Sequence, residues 1–367
     1  MMKSKAIVSF LLCVILLSMI CISAFGANTN ASNPYTISVL DYGAKGNGST
    51  DDTKAIQKAI DKCPVHGSVF LPWTGNSYKI SSTLIVNKPI TIYSNYYGYE
   101  INERTDVASM SEVGTPLIQY TGTGFAIEIH SIGVQLENIV MHTNGGGIYT
   151  TGNKSSTAPY SRYNRFINVF IRCMNGTTVA HVGFNFTNAF RTIIENCEVF
   201  DAYVGFYIND GTSITMTNCW ARDYRLYGYR VENLVYSTLI NCCADTTPKP
   251  GETYQVAYSL SNCDTIGFVN CGAENVGAEV LALDHCYGMT CSFHMIGSNK
   301  YAGNAPIYVN NSEAVFIGCR NNTFAKYAIN ILGNSCVTLI GCTAMENAMV
   351  SGRAMHCDGR FWVYPDV

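Results

Sequence analysis

The chain has 367 residues, a formal net charge of −3 and only 13% charged residues. This weakly acidic balance excludes a protein whose main surface is a basic patch for nucleic acid. The 32 glycines and 24 tyrosines are typical of a β-rich protein with many tight turns and a polar-aromatic surface.

The first 26 residues have the three parts of a secretory signal peptide. Residues 1–5 are basic, residues 6–25 are apolar, and small residues lie at the predicted cleavage site after Gly26. An uncleaved membrane anchor is the alternative, since the apolar run is nearly long enough to span a bilayer. Cleavage is favoured and would leave a net charge of −5, because it removes Lys3 and Lys5. We expect a secreted, extracellular protein with no membrane segment.

Residues 39–61 predict a strand, a glycine-rich turn and a helix. Thr50 or Asp51 is suited to the N-cap, and we expect acids in the first turn. The predicted apolar face is Ala55, Ile56, Ala59 and Ile60. Such a helix would cover the open end of a solenoid. The turn lacks the Gly-Lys-Ser/Thr ending of a phosphate loop, so phosphate binding is not expected.

Residues 90–139 predict early, less regular coils with a loop around residues 96–113. A longer excursion over residues 143–163 follows His142 and contains Tyr160, Arg162 and Tyr163. Excursions from a solenoid commonly form one wall of a binding site, and a flexible surface loop is the alternative. We predict that these four residues contact a substrate.

From Gly183 to Thr343, short apolar strands end in Asn or Gly followed by Cys. The cysteines are Cys197, Cys219, Cys242, Cys271, Cys319 and Cys342, at steps of 22, 23, 29, 48 and 23 residues. The long step fits two coils, with residues 292–296 in the place of residues 267–271. Period-2 alternation within repeats of 22–29 residues predicts stacked short strands, one coil per repeat. The sequence therefore predicts a parallel β-helix.

Stacking converts equal sequence offsets into columns of residues about 4.8 Å apart. We expect Cys197, Cys219, Cys242 and Cys271 to form one inward column of buried thiols. Fourteen of the sixteen cysteines follow the signal segment, so isolated disulfides stay possible. A second column, suited to turns with positive φ, contains Asn188, Asp210, Asn233, Asn262, His285 and Asn311.

A third column lies three or four residues after each cysteine and is acidic. Its members are Asp201, Asp223, Asp245 and Glu274, with Glu346 further along. Backward extension adds Arg172 and His142. Carboxylates about 5 Å apart repel each other and raise each other's pKa, so they must be solvated, bind a cation or take part in chemistry. A solvated acidic stripe is the structural alternative.

Tyr and Arg residues are concentrated near this column. They are Tyr203, Tyr207, Arg222, Tyr224, Arg225, Tyr227, Tyr229 and Arg230. Tyrosine rings stack on sugars and arginine pairs with carboxylates, so the set suits an acidic glycan. We predict substrate contacts from Tyr203, Tyr224 and Arg225, although Tyr is also common in strands and about half of the set is expected to be packing.

Residues 39–61, with residues 67–72 and 78–80, resemble the amino-terminal signature of the pectate lyase superfamily, in its branch related to glycoside hydrolase family 28 and similar to rhamnogalacturonases and epimerases. The resemblance implies an all-β, single-stranded right-handed parallel β-helix with an N-terminal capping helix. It would extend over residues 27–367, with coils at 90–346 and a C-terminal end at 347–367. Members hydrolyse, cleave by elimination or epimerise polysaccharides, or serve as phage tailspikes.

The resemblance transfers no catalytic residue. The Asn-Thr-Asp, Asp-Asp, Gly-His-Gly and Arg-Ile-Lys pattern of polygalacturonases is absent from the coils, and so is the Asp-Pro-His-Glu motif of alginate epimerases. Asp51-Asp52 is interpreted as a capping pair. The site prediction therefore rests on the columns alone.

We expect a polysaccharide-acting enzyme that hydrolyses glycosidic bonds with paired carboxylates, centred on Asp223 and Asp245 and without a cofactor. One alternative is a Ca²⁺-dependent lyase of a uronate-containing glycan, with Arg172 or Arg222 as the base. The other is a non-catalytic glycan-binding or tailspike-like β-helix. The expected partner is a polysaccharide, and the expected state is a monomer or homotrimer.

Overall fold

The computed structural model describes residues 35–96, 116–151, 161–174, 181–246, 255–297, 305–322, 327–344, 355–357 and 360–364. The predicted signal peptide, Tyr160 and Glu346 lie outside these ranges. The chain divides into a unit of residues 1–36, of which only Tyr35 and Thr36 are described, and a unit of residues 37–367.

The described residues contain one α-helix, Thr53–Lys62, and one 3-10 helix, Val39–Tyr42. The strands are Thr36–Ser38, Ser68–Leu71, Tyr78–Ile80, Leu84–Val86, Thr91–Ser94, Ile118–Tyr120, Phe125–Ile129, Gln135–Thr143, Gly146–Thr151, Ser161–Arg162, Arg165–Cys173, Val182–Phe190, Ile193–Glu195, Glu198–Phe200, Val204–Thr212, Thr215–Thr217, Trp220–Arg222, Tyr227–Ile240, Cys243–Asp245, Val256–Ser261, Asp264–Val276, Leu281–Asp284, Met289–Gly297, Ile307–Asn310, Glu313–Ile317, Arg320–Asn322, Ile329–Leu332, Cys336–Ile340, Thr343–Ala344, Met355–Cys357 and Arg360–Tyr364.

Each strand pairs in parallel with the equivalent strand one coil later, which confirms the single-stranded parallel β-helix. The coils have three faces. Face A includes residues 193–195, 215–217, 237–240, 266–269, 313–317 and 336–340. Face B includes residues 140–143, 170–173, 198–200, 220–222, 243–245 and 272–274. Face C includes residues 146–151, 182–187, 204–209, 227–232 and 256–261. Parallel pairing includes Ser68–Leu71 near one end and Arg360–Tyr364 near the other, and both strands lie outside the predicted coil range of 90–346.

The helix Thr53–Lys62 buries Ile56, Ala59 and Ile60, as predicted. The Gln57 amide anchors it, since Gln57 Oε1 accepts from the Ile85 amide at 2.8 Å and Nε2 donates to the Ile85 carbonyl at 3.0 Å. The prediction of acids in the first turn was wrong. The helix begins at Thr53, so Asp51 and Asp52 both precede it.

The two aspartates before the helix have different partners. The N-cap residue is Asp52 instead of the predicted Thr50 or Asp51, although Asp51 Oδ1 accepts from the Thr53 amide at 3.1 Å. The Asp52 carboxylate instead accepts from the amides of Lys45 at 2.7 Å and Gly46 at 2.9 Å. The backbone amides of the glycine-rich turn thus bind a carboxylate of the same chain. This role agrees with the absence of a phosphate-loop ending in the turn.

The predicted cysteine column is confirmed. Cys197, Cys219, Cys242 and Cys271 are at most 1% exposed, and each precedes a residue paired with its equivalent one coil later. Their thiols donate to backbone carbonyls, for example Cys197 Sγ to the Phe166 oxygen at 3.4 Å. The thirteen cysteines whose side chains the structure describes are free. One alignment was wrong: Cys271 pairs with Phe293, so Ile296 stacks on Glu274 instead of on Cys271.

Two columns of single residues turn the chain at the borders of face A. The predicted turn column has φ between 47° and 57° throughout, which confirms it. The second column precedes the cysteines and includes Asn168, Asn196, Asn218 and Asn241, with φ between 51° and 54°. Asn tolerates this conformation better than other residues with a Cβ. Neighbouring amides also bond across coils, as Asn218 Nδ2 donates to Asn196 Oδ1 at 3.1 Å.

A stack of inward aromatic rings fills the core behind face C. Phe184, Phe206, Tyr229 and Tyr258 lie 5.2, 4.9 and 4.7 Å apart with ring planes within 7° of parallel. A small residue precedes each ring for a steric reason. A Cβ at Gly205 would lie 2.6 Å from the Gly228 carbonyl oxygen, so this position requires glycine.

Substitution of Asn218 tests the turn ladder. Asn218→Ala should lower the free energy of unfolding by about 1–2 kcal/mol, because alanine is strained at positive φ and lacks the amide bond. Asn218→Gly should lower it by less, since glycine removes only the hydrogen bond. Denaturant unfolding midpoints give the comparison, and equal losses in both variants would contradict the conformational account.

Candidate active site

The predicted acidic column is two staggered sets of residues. In the outward column of face B, Arg172 stacks on Phe200, Phe200 on Arg222, Arg222 on Asp245 and Asp245 on Glu274. His142 precedes Arg172 in the same column. Asp201 and Asp223 come one residue later, at the corner between faces B and C, with φ of 55° and 49°. The prediction of four acids in one line was therefore wrong, and Asp245 is in register with Glu274 instead of Asp223.

An ion pair joins Arg172 to the corner. Its Nε donates to Asp201 Oδ2 at 2.9 Å, between consecutive coils. Both side chains are about one-fifth exposed, so water only partly screens the pair. Arg172 therefore compensates the negative charge of Asp201, and it lies near this acid as the sequence predicted.

Arg222 is held on three sides. Its Nη1 donates to Glu198 Oε1 at 3.1 Å, and its guanidinium lies 4.4 Å from the Phe200 ring centroid and 4.8 Å from that of Trp220. Sequence reasoning missed Glu198, Phe200 and Trp220. A strict period of two would have found them, because residues one and three positions after each cysteine both point outward on this face.

Asp245 is the most perturbed carboxyl of face B. Trp220 Nε1 donates to its Oδ2 at 2.8 Å, and the Glu274 amide donates to its Oδ1 at 3.0 Å. Burial and the Glu274 carboxylate raise the pKa of Asp245 to about 6, against the Trp220 hydrogen bond, which lowers it. Asp245 is therefore partly protonated near neutral pH, while the exposed Glu274 side chain lies one coil away.

His142, in the same outward column of face B, is a neutral side chain. Burial, and then the nearby Arg172 charge, lower the pKa of His142 to about 4. Its Nε2 is buried and has no hydrogen-bond partner among the described residues. His142 is therefore not a cation toward a ligand above about pH 5.

The other predicted contact residues occupy different places. Tyr203 and Arg225 lie at the B–C corner, but Tyr224 is 1% exposed and burial raises its pKa well above the usual range, so it is a core residue. Arg162 and Tyr163 lie at the opposite border of face C, where both contact Phe190. The structure does not bring this second group together with Asp245.

Face C carries a separate polar-aromatic cluster made of Tyr207, Arg230 and Glu232. The Tyr207 hydroxyl donates to Glu232 Oε2 at 2.8 Å, and Arg230 Nη2 lies 2.6 Å from Glu232 Oε1. Arg230 also lies over the rings of Tyr207 and Tyr227, 5.2 and 5.5 Å from their centroids. Burial and Glu232 raise the pKa of Tyr207 to about 12, so its hydroxyl stays a donor. Tyr229, predicted in the same set, belongs to the core stack.

Within the described ranges, no group of three or more His, Cys, Asp or Glu side chains is arranged to hold a metal ion. The one α-helix of those ranges is too short and too polar to cross a membrane.

Residues 36–233 match the family described as rhamnogalacturonase A/epimerase, pectate lyase-like. The match includes more than half of the 367 residues. The chain belongs to this family. The resemblance that residues 39–61 carry in the sequence is thereby confirmed.

The chain matches curated relatives over short segments. It is 27% identical over 175 residues to a glucan 1,3-beta-glucosidase of Cochliobolus carbonum, which is 42% of this chain and 21% of that protein. It is 48% identical over 44 residues to an exo-poly-alpha-D-galacturonosidase of Dickeya chrysanthemi, which is 12% of this chain and 7% of that protein. The chain thus spans a small part of these relatives.

Solved structures share the fold at low identity. DFA-IIIase from Arthrobacter chlorophenolicus A6 without its lid has a TM-score of 0.63 at 8% identity, over 91% of this chain and 100% of that chain. The gp42 tailspike of Acinetobacter phage vb_AbaP_AS12 has 0.58 at 16% identity, over 90% and 63%. The A-module of the mannuronan C-5 epimerase AlgE6 of Azotobacter vinelandii has 0.54 at 14% identity, over 90% and 98%.

The raised pKa of Asp245 predicts a pH-dependent stability difference. Between about pH 4 and pH 6 the native state binds this proton more tightly than the unfolded state, so the free energy of unfolding falls as pH rises. Asp245→Asn lacks this loss, and its stability relative to wild type should rise by roughly 1–2 kcal/mol across that window, allowing for solvent screening. Melting curves at pH 4 and pH 7 measure it, and a difference independent of pH would contradict the shift.

Proposed function

We propose that this protein is a secreted enzyme that hydrolyses a glycosidic bond of a polysaccharide on face B. The observation that carries the proposal is the pairing of Asp245, which has a pKa of about 6, with Glu274 on the next coil. An acid beside a base is the arrangement that glycosidases use. The relatives named as a galacturonosidase and a glucan glucosidase support a glycan as the substrate class.

In the proposed reaction, protonated Asp245 gives its proton to the glycosidic oxygen as the bond from that oxygen to the anomeric carbon breaks. The Glu274 carboxylate attacks that carbon from the next coil. Equivalent residues of consecutive coils are about 4.8 Å apart, near the about 5 Å separation of retaining enzymes. Asp245 then takes a proton from water, whose oxygen displaces Glu274 and restores both carboxyl groups.

Trp220 supplies the sugar platform in this proposal. Its side chain is 38% exposed, Arg222 lies against one ring, and its N–H is fixed on Asp245. A sugar ring that stacks on the remaining exposed surface would lie beside the acid. The ion pair of Glu198 with Arg222 holds this platform in place.

The proposed catalytic pair is Asp245 with Glu274 instead of the predicted Asp223 with Asp245, because Asp245 is in register with Glu274. Asp201 and Asp223 lie at the B–C corner, one residue beyond the outward column to which the proposed pair belongs. Arg172 and Arg222 are less suited to act as lyase bases, because carboxylates already hold both guanidinium groups in ion pairs. A Ca²⁺-dependent lyase is accordingly the weaker alternative.

A second candidate is glycan binding without catalysis, favoured by the Tyr207–Arg230–Glu232 cluster on face C. Its hydroxyl, guanidinium and carboxylate are fixed by mutual bonds, and fixed polar groups with aromatic rings suit sugar recognition. In this case the carboxyl pair of face B would be structural.

Turnover on a panel of uronate and neutral glycans separates these possibilities. Asp245→Asn and Glu274→Gln should each lower the release of reducing ends by roughly 100-fold or more, and Asp223→Asn by much less. The anomeric configuration of the first product, read by NMR, should be retained. Full activity of both face B variants would refute the assignment.

The same panel identifies the alternatives. Unsaturated product that requires Ca²⁺, with a melting temperature that rises with Ca²⁺ and falls with chelator, would establish a lyase. Glycan binding without turnover, weakened by Arg230→Ala and unchanged by Asp245→Asn, would establish a binding protein.

A further inference from the structure

Exposed tyrosine side chains are concentrated at the border between faces C and A. Among the tyrosines whose side chains the structure describes, four are exposed, namely Tyr35 (57%), Tyr163 (48%), Tyr236 (68%) and Tyr287 (49%). All of these except Tyr35 lie at this border, at or next to residues that stack from coil to coil. These three residues form a row that we call the tyrosine line. Large exposed aromatic side chains in one row indicate an interaction surface.

Two residues of the tyrosine line have an unfavourable backbone conformation. Tyr163 and Tyr236 have φ of 59° and 49°, in a column that turns the chain into face A. The whole column is Gly133, Tyr163, Arg191, Ser213, Tyr236, Thr265 and Gly288. Glycine accepts positive φ without strain, whereas bulky side chains rarely adopt it. Because strained residues are concentrated at ligand sites, tyrosine at two positions of this column favours a binding role.

The spacing of the tyrosine line suits an extended polymer. Tyr163 and Tyr236 are three coils apart, and Tyr236 and Tyr287 are two coils apart. At about 4.8 Å per coil, the line is about 24 Å long and runs parallel to the axis. The hydroxyl side chains of Ser213 and Thr265 occupy column positions between the rings. Tyrosine rings stack on sugar rings and hydroxyls exchange hydrogen bonds with sugar hydroxyls, so a linear polysaccharide fits both features.

Arginine side chains lie at the first end of the tyrosine line. The guanidinium carbons of Arg162 and Arg191 are both 5.4 Å from the Phe190 ring centroid. The guanidinium carbon of Arg191 is also 6.0 Å from the Tyr163 ring centroid. These contacts hold guanidinium groups beside an exposed tyrosine ring. Since guanidinium N–H groups donate to hydroxyl and carboxylate oxygens alike, this end can bind a neutral or an acidic sugar.

The charges along the border are mixed. The ionisable residues of the border and of the first outward position of face A, from residue 161 to residue 315, are Arg162, Arg165, Arg191, Asp210, Asp264, His285 and Glu313. The adjoining outward positions of faces A and C carry Glu195, Glu232 and Asp284. Three arginines therefore face at least as many acids. Nucleic acid and anionic membranes require a cationic surface, which this border does not provide, whereas a glycan requires rings and hydrogen-bonding groups.

We propose that the tyrosine line is a glycan-binding site that holds a linear polysaccharide on the side of the solenoid opposite face B. The choice of a glycan rests on the proposed function and on the relatives named as a galacturonosidase and a glucan glucosidase. The site itself uses no residue of the catalytic pair. It keeps the polymer bound to the solenoid while face B acts on a chain.

Affinity electrophoresis of the full chain tests the proposal, in gels that contain a soluble β-1,3-glucan or polygalacturonate. Wild type should be retarded by at least one of these polymers. Tyr163→Gly and Tyr236→Gly should each weaken that binding by roughly tenfold, because exposed tyrosines contribute strongly to binding.

Ser213→Gly is the matched control, since it makes the same backbone change in the same column without removing a ring. It should bind as wild type does. The melting temperatures of Ser213→Gly and Tyr236→Gly should not fall below that of wild type, because glycine relieves the strain of positive φ and the Tyr236 side chain is 68% exposed. Loss of binding in Tyr236→Gly then does not come from unfolding.

Several results would overturn the proposal. They are retardation by neither polymer, equal retardation of wild type and both tyrosine variants, and tighter binding to single-stranded DNA than to either polymer. Loss of binding confined to Trp220→Ala or to Arg230→Ala would place the polymer on face B or face C and would also overturn it.

Turnover separates this inference from the proposed hydrolysis. On short oligosaccharides the tyrosine variants should keep the turnover of wild type, because they lie away from face B. If wild type shows no turnover and the tyrosine variants still lose binding, the hydrolysis proposal fails and the glycan-binding site stands.

Discussion

The structure depends on the in-register parallel pairing of each coil with the next. Backbone hydrogen bonds set a spacing of about 4.8 Å, and every side chain then stacks on the residue one coil away. The stack from Phe184 to Tyr258, with centroid distances of 4.7 to 5.2 Å, shows how closely the core follows this spacing. The asparagine turns follow the same coil-to-coil spacing outside the core, because their side-chain amides hydrogen-bond to each other from coil to coil.

The same spacing brings charged side chains on the surface close to those of the neighbouring coils. A charged residue lies beside the side chains of the neighbouring coils, where it attracts an opposite charge or repels a like one. Arg172 with Asp201 and Arg222 with Glu198 are paired across coils. Asp245 and Glu274 are not compensated in this way, and the pKa of Asp245 rises as a result of burial and that proximity.

Sequence periodicity predicted the fold well because each coil repeats one pattern of small, apolar and turn residues. The cysteine column and the turn column followed directly from equal offsets. The acidic column failed because offsets of three and four residues after cysteine were combined, and one residue separates an outward strand position from a corner with positive φ. Tyr224 was assigned to the surface because composition does not reveal which tyrosines point into the core. Trp220 and Glu198 required the strict period of two.

The most direct test of this account is the pKa of Asp245, measured by NMR of its side-chain carboxyl in wild type and in Glu274→Gln. The account predicts a value near 6 in wild type and a lower value in the variant, because removal of the neighbouring carboxylate removes one cause of the shift. A wild-type value near 4, or a value unchanged by Glu274→Gln, would contradict the coupling of these two coils.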